Sequence, residues 1–124
     1  MILKRKAYQD LLRWKEESNG STALLIDGAR RVGKSYLAEE FGKNEYKSYV
    51  LINFSKASTA LKDIFENDLM DLNLFFNKLS AIFNVELFNR DTLFIFDEVQ
   101  RFPRAREVIK FLVADGRYDY IETG

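Results

Sequence analysis

Residues 28–35 read Gly28-Ala29-Arg30-Arg31-Val32-Gly33-Lys34-Ser35. The spacing G-x-x-x-x-G-K-[ST] suits one kind of chemistry, the holding of phosphate oxygens. Gly28 and Gly33 carry no Cβ, so the backbone can bend sharply and approach a ligand closely. The loop N–H groups of Ala29, Arg30, Arg31 and Val32 then point inward, and a following helix N-terminus adds partial positive charge. Lys34 reaches the β- and γ-phosphates, and the Ser35 hydroxyl ligates Mg²⁺. Tyr36 closes the nucleotide-contacting stretch.

A second set of residues fits the first. The run Thr92-Leu93-Phe94-Ile95-Phe96 ends in Asp97-Glu98. In a phosphate-loop protein such a strand carries a metal-associated acid at its carboxyl end. Asp97 is expected to hold Mg²⁺ through a water. Glu98 is expected to point the other way and to orient or deprotonate an attacking water. Two solvated carboxylates closing a strand are the bland alternative, and the phosphate loop argues against it. Open α/β sheets bind ligands at the carboxyl ends of their strands, so one sheet edge serves both motifs.

The elements that position these residues are legible in the pattern. Ala23-Leu24-Leu25-Ile26 gives a first strand over residues 22–27. Leu37, Ala38 and Phe41 recur at helical spacing with Lys34, giving a helix to about residue 41 and a turn at Gly42-Lys43-Asn44. Residues 49–54 form a continuous apolar strand, as expected where helices cover both faces. Leu61, Ile64 and Phe65 mark a short helix or turn. Asp71 is the expected N-cap of a longer one whose core face is Leu72, Phe75, Phe76, Leu79, Ile82 and Phe83. Pro103 opens a helix carrying Val108, Ile109, Leu112 and Val113, and Gly116 caps it. Residues 118–123 form a fourth strand. Ahead of all this, Ala7, Tyr8, Leu11, Leu12 and Trp14 form the apolar face of a helix that ends near Gly20.

Composition narrows the class. The chain has 124 residues, with 19 basic and 19 acidic side chains, so net charge indicates neither a nucleic-acid nor an anionic-membrane partner. With no Cys and no His, disulfide, thiolate and His-triad chemistry and the usual zinc sites are excluded. Met1-Ile2-Leu3 runs straight into Lys4-Arg5-Lys6, which is not a signal peptide, and no apolar run approaches membrane-spanning length. A cytoplasmic location is the expectation.

The phosphate loop preceded by Leu25-Ile26-Asp27, the segment Phe96-Asp97-Glu98-Val99-Gln100 with Pro103 soon after, and the closing Tyr120-Ile121-Glu122-Thr123-Gly124 together resemble a prokaryotic AAA-type ATPase family. The resemblance lies near the archaeal ATPase and STAND-like branches of the additional-strand, catalytic-Glu division. It implies a three-layer α/β/α P-loop NTPase sandwich with a mostly parallel sheet in the order 5-1-4-3-2. It implies that Thr123, or less well Glu122, senses the γ-phosphate at the end of the strand between those of the two motifs. An ordinary strand-end threonine is an equal alternative.

The family continues past the position of Gly124 into a fifth strand, a helical lid and usually a separate domain. Residues 1–124 are therefore expected to be the N-terminal part of a single ATPase domain, with a C-terminal domain as partner. Homo-oligomerisation stays open. Arg101, Arg104 and Arg117 are arginine-finger candidates only in the loosest sense. The expected function is Mg²⁺-dependent ATP binding and hydrolysis driving a conformational change, with Lys34 and Glu98 catalytic. The alternative is a nucleotide-gated binding module with little turnover. A small-molecule phosphotransferase ranks below both, and no Asn-Lys-x-Asp motif points to GTP.

Overall fold

The computed structural model describes residues 2–26 and 34–124, with side chains over residues 5–26 and 35–124. The element order is α1 (Ile2–Ser18), β1 (Leu24–Ile26), α2 (Lys34–Glu45), β2 (Ser48–Asn53), α3 (Thr59–Asn67), α4 (Leu72–Phe83), β3 (Thr92–Asp97), a 3-10 turn (Val99–Arg101), α5 (Pro103–Asp115) and β4 (Asp119–Thr123). All strand pairs are parallel, in the order β1-β4-β3-β2. This is the expected order for the four strands within the chain. Among the described residues β1 pairs only with β4 and so lies at the sheet edge, where Leu25 is exposed.

Strand alternation sorts the side chains into two cores. From β3, Leu93 and Ile95 join Ile121, Leu11, Ala38 and Phe41 on the face covered by α1 and α2. Phe94 and Phe96 join Tyr120, Val50 and Ile52 on the face covered by α3, α4 and α5. Both faces are dry, which is why β3 reads as an unbroken apolar run. The second core is built largely from rings in edge-to-face contact. Phe54 meets Phe65 and Phe96, each at 5.4 Å between centroids, and Phe76 meets Tyr118 at 4.8 Å. Such pairs add roughly 0.5–1.5 kcal/mol each beyond the area they bury.

The helix boundaries follow local chemistry. Asp71 accepts a hydrogen bond from the Leu74 N–H, and Ser58 does the same for Leu61, so α3 and α4 start on side-chain caps. Pro103 sits in the first turn of α5, and Gly116, at φ 83°, ends that helix in the left-handed region.

Two expectations need correction. The helix α2 does not stop at residue 41; it runs through Gly42 to Glu45. Gly42 is there for contact, because a Cβ on it would lie 2.8 Å from the Tyr49 Cβ of β2. The missing side chain lets the helix sit close on the sheet. Ile82 is not part of the α4 core face, as its side chain is half exposed while Phe75, Phe76 and Leu79 are buried.

The far end of the sheet, opposite the expected site, carries a buried polar tie. Asp119 is 4% exposed, accepts from the Tyr46 hydroxyl at 2.6 Å and pairs with Arg90 at 2.6 Å. Burial, reinforced by the bond to Asp119, pushes the Tyr46 phenol far above its ordinary value of 10.0. Gly20 leaves room for the Arg90 guanidinium, which would lie 2.7 Å from an added Cβ.

Candidate active site

The carboxyl ends of the strands form a row. Register places Ile26 beside Thr123, Glu122 beside Phe96, and Asn53 beside Asp97. Thr123 and Asp97 are therefore next to each other at the end of β4 and β3. The Thr123 hydroxyl, which is buried, donates a hydrogen bond to Asp97 Oδ1. Among the described residues nothing donates to the other carboxylate oxygen of Asp97. That side chain is half-buried, with one oxygen held by Thr123.

Lys34 opens α2 and Ser35 is its second residue, half-buried in the first turn. Backbone N–H groups in a first turn lack intrahelical partners, and no acidic side chain occupies this one. An anion is the natural complement. The helix packs on the sheet from the α1 side, so its first turn follows directly from the edge strand β1 and the loop. Asp27 to Gly33, which include Gly28, Ala29, Arg30, Arg31, Val32 and Gly33 of the expected phosphate cradle, lie outside the described residues, as does the Lys34 side chain. Tyr36 is exposed.

Glu98 lies just beyond the strand rather than within it. β3 ends at Asp97, and Glu98 takes left-handed backbone angles, φ 56° and ψ 44°, leading into the 3-10 turn. Val99, fully buried, anchors the turn from below, and Phe102 stacks on Phe54 at 5.7 Å between centroids. Gln100 Nε2 donates to Glu98 Oε1 at 3.4 Å.

On the other face of β4, Glu122 faces α5 rather than the row formed by Thr123 and Asp97. Its Oε1 lies 3.4 Å from Arg106 Nε, an ion pair without a directed hydrogen bond. The Arg106 side chain is mostly exposed, so the pair is well screened. Of the two sensor candidates at the end of β4, Thr123 is the one brought to Asp97. The Gln100 and Arg106 contacts were not anticipated. They join residues through a turn and across a helix-to-strand contact, where no periodicity marks a pair.

Among the described residues no three His, Cys, Asp or Glu side chains gather as a self-sufficient metal cage. Asp97 and Ser35 instead supply hard oxygen donors of the type Mg²⁺ takes when phosphates and waters complete its shell. The Asp97 oxygen that Thr123 does not hold would fit that use.

A parallel α/β/α sandwich with these residues at its carboxyl edge defines a P-loop NTPase-like domain. The family model of the AAA domain matches residues 20–124, and the chain belongs to that family, whose members are of ATP-binding, ATPase type. No curated protein and no solved structure matches the chain. Among the described residues no helix is long and apolar enough to cross a membrane.

Proposed function

We propose that this chain binds ATP with Mg²⁺ and hydrolyses it, and that hydrolysis drives a conformational change. The observation that carries the reading is the meeting of Asp97 and Thr123 at the carboxyl edge of the sheet, beside the end of β1. In this reading the loop from Gly28 to Gly33 cradles the phosphates with its amides, and Lys34 neutralises charge on the β- and γ-phosphoryl oxygens. Ser35 and Asp97 hold Mg²⁺, which supplies charge neutralisation when bound. Thr123 orients Asp97 by fixing one of its oxygens. Glu98 takes a proton from, or orients, the attacking water.

The test is binding of a fluorescent ATP analogue with and without Mg²⁺, by the wild type and by Lys34→Ala. Mg²⁺-dependent binding that is lost in Lys34→Ala supports the site. A folded wild type that binds no nucleotide with Mg²⁺ present contradicts it.

A further inference from the structure

The last residues of β4 and the residue after it make three contacts with the end of β3 and the segment that follows it. Thr123 bonds Asp97, Glu122 pairs with Arg106, and Gly124 lies under the carboxamide of Gln100. The third contact is tight. A Cβ on Gly124 would come within 2.1 Å of Gln100 Oε1 and 3.2 Å of the Val99 N. The same carboxamide donates through Nε2 to Glu98 Oε1.

Glu98 is hard to aim without help. It sits at a turn with left-handed backbone angles, a conformation uncommon for a residue other than glycine. Its side chain has three rotatable bonds and is half exposed. Among the described residues Gln100 is the partner of its carboxylate. The carboxamide bonds one oxygen of Glu98.

We propose that Gln100 is a positioning residue. Seated over Gly124, it holds the Glu98 carboxylate in the orientation that primes water. The inference rests on the reading of Glu98 given above. It also gives Gly124 a role, since an added Cβ would push the carboxamide out of the place it occupies.

The test is steady-state ATP hydrolysis by the wild type, Gln100→Met, Gly124→Ala and the double variant, with Glu98→Gln alongside. Met keeps the length of Gln and loses the donor, at an exposed position where folding does not depend on it. Gln100→Met is expected to lower kcat about tenfold with KM for ATP unchanged, the signature of lost orientation rather than lost binding. Gly124→Ala displaces the carboxamide and gives the same signature. The double variant is no worse than either single one, because both remove one interaction. An unchanged kcat in Gln100→Met, a rise in KM alone, or additive losses in the double variant overturns the proposal while leaving the ATPase reading intact. A wild type without turnover, or a Glu98→Gln variant that keeps it, overturns the reading of Glu98 and this inference with it, and both results come from proteins in which Gln100 is intact.

Discussion

Asp97 and Thr123 are separated by 26 positions in sequence and joined by a single hydrogen bond. That bond has a consequence for metal binding. A carboxylate with one oxygen held by a buried hydroxyl presents the other in a fixed direction. Replacing Thr123 by Val keeps the shape of the side chain and removes the donor. Thr123→Val is expected to raise the Mg²⁺ concentration needed for half-maximal ATP binding about tenfold, as for other groups that orient a metal ligand. The lost hydrogen bond lowers unfolding free energy by about 1 kcal/mol. A Mg²⁺ titration of ATP binding, with a denaturant melt beside it, measures both. An unchanged Mg²⁺ requirement assigns Thr123 to the fold alone.

The elements show which local rules carried over to three dimensions. Asp71 and Pro103 begin their helices and Gly116 ends one, because capping depends on a few adjacent residues and is written in them. Gly42 reads as a turn in sequence and is a contact in the fold. Its reason for being glycine lies on β2, which the local sequence of α2 does not display. Gly42→Ala would drive a methyl into the backbone-fixed Cβ of Tyr49 and crowd Leu93 Cδ2 at 3.3 Å. The expected cost is about 1–3 kcal/mol of stability, the range for overpacking. ATP binding at the opposite end of α2 should persist below the lowered melting temperature. Thermal melts with and without ATP separate the two effects. At the site, β3 ends one residue before Glu98, so the 3-10 turn and not strand alternation governs its backbone.

Over the whole molecule, the sheet has the proposed site at one end and a buried polar tie at the other. The two motifs that suggest the site stand out in the sequence because a phosphate cradle would need fixed residue types at fixed spacing. The strand order followed from the resemblance and agrees with the observed β1-β4-β3-β2. The tie of Tyr46, Asp119 and Arg90 at the other end was not legible. Tyr46 and Asp119 are 73 positions apart, and a single buried polar pair leaves no periodic trace. It has a pH signature. The folded Tyr46 phenol is held well above 10.0, and burial raises Tyr120 as well. Above pH 10 the unfolded chain therefore loses phenolic protons that the folded one keeps, and stability falls as pH rises. Below that value the contribution is fully present. Tyr46→Phe should make the alkaline decline shallower. At neutral pH it should cost about 1 kcal/mol, since Asp119 loses a donor. Urea melts from neutral to alkaline pH test both. An alkaline slope unchanged in the variant would contradict the assignment to Tyr46.

The role of Glu98 as the group that primes water is tested by phosphate release from the wild type and from Glu98→Gln, with ATP binding measured on the same samples. Removing a general base costs typically 10²–10⁴-fold in rate. The account predicts a loss of at least about 100-fold in kcat, with Mg²⁺-dependent ATP binding retained. Equal hydrolysis by the two proteins, or a wild type that binds ATP and does not turn it over, would contradict it.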